Sequence, residues 1–257
     1  MIIVMILIGI FTGIVTGLTG ASGVMVVVPL LNILLSFSIH EAIGTSLMVD
    51  IIAPLAISYV YFKHGNIDIK SGIWIAIGSI IGAQLGANFA VGLPEVGLGG
   101  TFGIFMAVMG LFIWRKGLNH ESLSKVMKKV AKFETQTQRI VTALILGFLV
   151  GIMTGVLGAG GGGMILLILI FVLDFPIHLA IGTSAIIMAI TACSGTIGYA
   201  LHGNTKPIAG LILGVSAAGS GMVSAKFANK ANEQTLGKIV GVMFLILGVV
   251  MTIINFR

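Results

Sequence analysis

The chain has 257 residues, 57% of them hydrophobic and 9% charged, with a mean hydropathy of +1.16 and a formal net charge of +6. Ordinary soluble domains carry about 25% charged residues, so this composition excludes a soluble globular protein. Seven of the fourteen Lys and Arg residues fall between Arg115 and Arg139, so the positive balance belongs to one loop and is no nucleic-acid-binding surface. Taken in chain order, apolar segments cover about 1–16, 24–36, 44–62, 71–91 and 96–114, then 140–157, 164–173, 179–200, 207–225 and 239–256. A spanning helix needs roughly 20 apolar residues, and a barrel would alternate polar and apolar positions instead. The expected fold is an all-α polytopic integral membrane protein with eight to ten transmembrane or re-entrant segments.

The second segment of each group is too short to span, at roughly 15–20 Å for 10 to 13 residues. Residues 1–18 lack a basic leader region, and a similar segment recurs at 140–156, so they are expected to belong to the mature fold. The single cysteine, Cys193, rules out an intrachain disulfide and a thiolate cluster, and reads as a small core residue.

The recurrence is general. Displaced by 138 residues, FTGIVTGLTGASG (11–23) falls on LVGIMTGVLGAGG (149–161), FSIHEAIGTS on FPIHLAIGTS, and YFKHGN on YALHGN. The expected organisation is a first transmembrane repeat, 1–114, a basic cytoplasmic connector, 115–139, and a second repeat, 140–257. Internal repeats in a polytopic membrane protein point to a secondary transporter. In the connector, Leu123, Val126, Met127, Val130 and Phe133 recur at helical spacing among lysines, as either an interfacial amphipathic helix or a solvated link. If all ten segments cross, the repeats are inverted; if each short segment adds no crossing, they are parallel. The Lys and Arg distribution fits both.

Each repeat has a Gly-rich break between a long and a short segment, GLTGASG at 17–23 and GVLGAGGGG at 155–163. The run from Gly158 to Gly163 formally matches a dinucleotide fingerprint, but it follows an apolar 18-mer and has no acidic partner about 20 positions on. Non-helical backbone at membrane depth is tolerated only beside protein or a watery cavity. Its free N–H groups, with the positive dipole end of the next half-helix, suit an anion. Gly20, Gly23, Gly158, Gly160, Gly161, Gly162 and Gly163 are therefore candidate substrate contacts. Close helix packing is the alternative, and Gly9, Gly13, Gly17, Gly147, Gly151 and Gly155, at i, i+4, i+8 spacing, are assigned chiefly to it.

These breaks, together with the A-x-G-T-S runs at Ala42–Ser46 and Ala180–Ser184, the HGN segments and the duplication, resemble the sulfite exporter TauE/SafE family, also called the 4-toluene sulfonate uptake permeases. The likeness covers essentially the whole chain. It implies a plasma-membrane permease that moves sulfite, sulfoacetate or other organosulfonates, outward. Members of this family often have a glycine run in the first copy too, where this chain has Ser22-Gly23-Val24-Met25. Ser22 still offers a hydroxyl to an anion's oxygens.

Other polar residues supply mechanism candidates. Thr45, Ser46, Thr183 and Ser184 open the third segment of each repeat, either to contact the anion or to cap that helix. Thr16 and Thr154 precede the breaks, where back-bonding to the helix is the expected role. Asp50 is the only formal charge between Ala42 and Phe62, and Met188 takes its place in the second repeat. The hypothesis is that Asp50 takes up and releases a proton coupled to anion movement; otherwise the helix starts later and Asp50 lies near the interface. His40, His178, His64 and His202 sit where spans meet loops, without ligand-spaced partners, and are expected to make interfacial hydrogen bonds. Gln84 and Asn88 face either a polar cavity or another helix.

The expected activity is secondary-active transport of a small anion across a lipid bilayer, with no cofactor, metal, catalytic residue or nucleic-acid partner. A passive anion channel is the alternative, and a membrane-embedded enzyme the third reading.

Overall fold

The computed structural model describes residues 1–19, 22–63, 65–116, 135–158, 161–228 and 233–255. Leu123–Phe133 of the connector, with their amphipathic pattern, lie outside them. Ten α-helices are present among the described residues: α1 (Ile2–Thr19), α2 (Val24–Leu35), α3 (Ile39–Lys63), α4 (Ile69–Val91), α5 (Glu95–Lys116), α6 (Gln136–Leu157), α7 (Gly161–Phe171), α8 (Ile177–Leu201), α9 (Pro207–Ala228) and α10 (Glu233–Asn255). Six are long and apolar enough to cross a membrane. With α2 at 12 residues and α7 at 11, each short helix rises only about 16–18 Å, half of a bilayer core. This is an all-α polytopic membrane protein.

Local chemistry sets several helix starts. Asp68 caps α4, its Oδ1 accepting from Ser71 N–H at 3.1 Å and its Oδ2 from the Ser71 hydroxyl at 2.7 Å. Those bonds hold the Asp68 carboxyl below the usual carboxylate range, so this cap persists to a lower pH than an unpaired aspartate would allow. At α3 a reciprocal capping box operates. Glu41 N–H donates to Ser38 Oγ at 3.2 Å, and Ser38 N–H donates to Glu41 Oε2 at 3.3 Å. The box starts α3 at Ile39, five residues before the segment expected from hydropathy. Thr45 and Ser46 therefore lie inside the helix, and Asp50 is the twelfth of its 25 residues. The capping role for the Thr-Ser pair and the interfacial position for Asp50 are thereby corrected.

The packing is small inside and large outside. Along α4, Gly72, Gly78, Ser79, Gly82, Ala83, Gly86 and Ala87 are buried, while Ile73, Ile77, Ile81, Leu85 and Phe89 are exposed. Lipid is as apolar as leucine, so these helices associate through close backbone approach, not through burial of large side chains. A Cβ on Gly9, Gly13, Gly147, Gly151 or Gly155 would collide with a neighbouring helix. Ser79 and Thr191 add a buried hydroxyl pair between α4 and α8 at 2.6 Å. Cys193 departs from its expected core place: it is exposed on α8, because apolar surface here faces lipid as readily as protein.

Neighbour pairs fix the helix directions. Gly9 lies beside Leu213 and Gly13 beside Ala217, so α1 and α9 are parallel; Gly78 beside Leu144 and Gly82 beside Phe148 make α4 and α6 parallel. Met48 beside Gly210 and Ile52 beside Gly214 align α3 with α9. By contrast, Gly44 meets Tyr199 and Gly182 meets Tyr61, so α3 and α8 are antiparallel. Helices 138 residues apart thus run in opposite directions. Their contacts are reciprocal as well: Thr45 Oγ1 accepts from Lys206 N–H at 3.0 Å, and Thr183 Oγ1 from Asp68 N–H at 2.9 Å.

Gly151→Ala is expected to cost about 1–3 kcal/mol of stability, since its Cβ would lie 2.7 Å from the Ser79 Cα. Gly97→Ala, which meets nothing within 4 Å, should be neutral or slightly stabilising. Thermal unfolding of both variants in detergent checks the contrast.

Candidate functional site

Both breaks open at the centre of the fold. In the first, α1 ends at Thr19 and α2 begins at Val24, with Ser22 and Gly23 between them. Asp50, 3% exposed, reaches this turn from the middle of α3. Its Oδ2 accepts a hydrogen bond from the Ser22 hydroxyl, and its Oδ1 accepts from Gly23 N–H at 3.2 Å. Ser22 Oγ in turn accepts from Val24 N–H at 3.3 Å. A carboxylate thus closes the first break by binding the amide and hydroxyl that the interrupted helix leaves free.

The second break is built without charge. Gly158 has φ +66, a left-handed conformation suited to glycine. A Cβ there would stand 2.9 Å from Ile43 Cγ2, 3.0 Å from Val24 Cγ1 and 3.6 Å from Ser46 Oγ. The second break therefore touches the start of α2 and the inner portion of α3. Gly161 faces the Thr154 hydroxyl and Gly162 the Met188 sulfur, so Met188 occupies over α7 the place that Asp50 holds over α2. A Cβ on Gly163 would meet nothing within 4 Å.

Of the residues singled out in the sequence, the structure brings together Ser22, Gly23 and Asp50 at one break, and Ser46 with Gly158 at the junction of the two. Gly161, Gly162 and Gly163 form the first turn of α7. Gly20 and Gly160 lie outside the described residues. Thr45 and Thr183 hold the loop amides before α9 and α4 with their oxygens. Ser46 and Ser184 donate to the carbonyls of Ile43 and Ile181 at 2.8 and 3.0 Å. Thr154 back-bonds to Val150 O at 2.9 Å as expected, but Thr16 does not follow.

The hydroxyl oxygens of Thr16 and of Thr12, one turn earlier, are buried without a hydrogen-bond partner. Thr12 was missed by motif reasoning. Its signal is a polar residue whose counterpart 138 positions on, Val150, is apolar, the same kind of departure that Asp50 shows against Met188.

The histidines fill structural roles where they are described: His40 Nε2 lies 3.0 Å from Ala90 O, and His202 Nδ1 lies 2.9 Å from Gly198 O. His64 and the side chain of His178 lie outside the described residues. Gln84 faces Gly198 of α8. Among the described residues no group of three His, Cys, Asp or Glu side chains could hold a metal.

The sequence profile of the family described as Sulfite exporter TauE/SafE matches residues 5–251. The chain belongs to this family. Its TauE/SafE relatives include Probable membrane transporter protein YunE of Bacillus subtilis (strain 168), 26% identical over 261 residues, which cover 96% of this chain and 95% of the relative. A second, Probable membrane transporter protein YdhB of the same organism, is 29% identical over 222 residues, 84% of this chain and 86% of the relative. A TauE/SafE relative from Methanocaldococcus jannaschii, also named a probable membrane transporter protein, is 26% identical over 262 residues, 94% of this chain and 93% of its own length. No solved structure matches the chain significantly. Family, relatives and apolar helices together make this TauE/SafE protein a multi-pass membrane transporter and not an enzyme.

Proposed function

We propose that the protein is a secondary-active exporter of a small anion of the sulfite or organosulfonate class, bound at mid-membrane between the two glycine breaks. One observation carries the reading: the short helices α2 and α7 both begin at the centre and run apart, and Gly158 of one break packs against Val24 at the start of the other. Two positive helix ends then face one small volume. Gly20, Ser22, Gly23, Ser46, Gly158, Gly160, Gly161, Gly162, Gly163 and Ser184 are the proposed contacts. The open space over Gly163 gives an anion room. Thr45 and Thr183 serve the site indirectly, by fixing the loops that position α9 and α4.

The two-module reading, 1–114 and 140–257 about the connector 115–139, draws support from the reciprocal Thr45–Lys206 and Thr183–Asp68 contacts. With alternating helix directions, 12 of the 14 Lys and Arg residues belong to the ends and segments joined on the connector face, which supports a cytoplasmic connector in a cell membrane. A hollow of about 600 Å³ opens there, bordered by Lys70 and Arg139, and would draw anions toward the inner mouth. Asp50 is the proposed carrier of a coupled proton.

Radiolabelled sulfite flux into proteoliposomes, with and without an imposed proton gradient, tests the reading. Accumulation above equilibrium that collapses with a protonophore is the expected result. Flux only down the sulfite gradient would replace the transporter with a passive anion channel, and absence of flux from folded protein would remove sulfite as substrate.

A further inference from the structure

The first break holds more oxygen than its hydrogen bonds use. Thr12 and Thr16 lie one turn apart on α1, 1% and 8% exposed, and neither hydroxyl oxygen has a partner. A buried threonine hydroxyl in a helix ordinarily returns to the carbonyl four residues back, as Thr154 does in the second half. Leaving two such groups unpaired at one spot is destabilising unless something else binds them. Both side chains border the position above Gly23, Thr16 with its hydroxyl oxygen and Thr12 with its methyl carbon, so Thr12 joins the set by turning about its Cα–Cβ bond. The position a Cβ would take there is 3.4 Å from Thr16 Oγ1, 3.4 Å from Asp50 Oδ1 and 2.8 Å from the Thr12 methyl carbon. Ser22 Oγ closes the same cluster through Asp50.

We propose that Thr12, Thr16, Ser22 and Asp50 form a binding site for one partly dehydrated sodium ion, whose charge neutralises Asp50 and lets the anion lie beside it between the two breaks. The proposal rests on the transporter reading for any role of the ion in coupling, but not for its binding, and it sets a sodium ion in competition with the proton for the Asp50 carboxylate. The donor set is all oxygen, three hydroxyls and one carboxylate, which suits a hard cation and not a transition metal. Charge selects the valence. Asp50 is the only formal charge in α1, α2 or residues 42–62 of α3, so a monovalent ion leaves the buried site neutral and a divalent ion leaves it charged. Position by position, the second half removes the site: Thr12 becomes Val150, Ser22 becomes Gly160 and Asp50 becomes Met188. The end of an interrupted helix, with its unpaired carbonyls, is where transporters of broken-helix construction hold such ions.

Binding of ²²Na⁺ to the purified full-length protein in nanodiscs, at fixed pH and constant ionic strength made up with choline chloride, tests the site without requiring transport. The expected result is saturable binding of one ion, not displaced by choline, with affinity at least tenfold weaker in Thr12→Val and in Thr16→Val and lost in Asp50→Asn. Thr12→Val copies the residue the second half already carries, so it is expected to fold. Thermal unfolding supplies the second readout: sodium should raise the midpoint of the parent protein more than choline does, and the increment should shrink in Thr12→Val and Thr16→Val. Thr154→Val, whose hydroxyl is already bonded within its helix, should bind sodium like the parent. Absence of saturable sodium binding by the parent, or parental affinity in both threonine variants, overturns the proposal. Sodium binding without sulfite flux would leave the site standing and remove the substrate.

Discussion

Asp50→Asn is expected to reduce gradient-driven anion accumulation at least tenfold while leaving downhill exchange measurable. Asparagine keeps an oxygen that can accept from Gly23 N–H, now 3.2 Å from the Asp50 carboxylate, so the turn between α1 and α2 retains that bond. What it loses is the capacity to gain and release a positive charge, and that capacity is what, in the proposed function, ties anion movement to a cation gradient. Accumulation ratio and exchange rate, measured in the same proteoliposomes, separate the two effects. An unchanged accumulation ratio would remove Asp50 from coupling.

The second large effect concerns Gly158. Gly158→Ala should lower transport at least tenfold with the protein still folded. An L-residue at φ +66 costs about 1–2 kcal/mol. Its Cβ would also press on Ile43 and Val24, at 2.9 and 3.0 Å, forcing the two breaks apart. Gly203→Ala separates these causes, since Gly203 has φ +74 with nothing within 4 Å of its Cβ position. It should lose a similar amount of stability, read as the thermal midpoint, while transport stays within about twofold of the parent. Equal transport loss in both variants would mean that strain alone, and not the meeting of the breaks, matters at Gly158.

Much of the fold was written locally. Uncharged runs placed the helices, and the brevity of α2 and α7 was visible in the segment lengths. The glycines at spacing four that now lie against neighbouring backbones could be assigned to packing from their positions alone. Helix starts were less legible where hydropathy and capping disagreed. The sequence Ser38-Ile-His-Glu41 carries a capping box, yet its polar residues made the start of α3 look like a loop, and Asp50 accordingly looked shallower than it is.

Other features depend on partners far away in the chain. Thr45 and Thr183 read as either anion contacts or helix caps, and neither reading names the partners they have. Their donors are backbone amides 161 and 115 residues distant, and a backbone amide has no sequence signature. Helix direction was open for the same reason: it emerges from pairs such as Gly44 with Tyr199, not from charge. Cys193 shows a third limit. In a membrane the outside is as apolar as the inside, so a small apolar residue carries no information about which it faces.

The reciprocal threonine contacts stand on opposite faces of the molecule, and opposite facing gives them separate duties. In the proposed transporter, a rocking motion that opens one mouth breaks the contact on that side while the other stays shut, so each would be the latch of a different door. Latches of matching chemistry contribute about 1 kcal/mol apiece and cancel when the two open states are compared. The resting preference then falls to groups without a counterpart: Lys206 with Glu41 at 2.7 Å on one side, and Arg139 with Asp174 at 2.8 Å on the other. Evolution could retune which mouth stands open by exchanging those surface charges, without disturbing a single residue that touches the cargo.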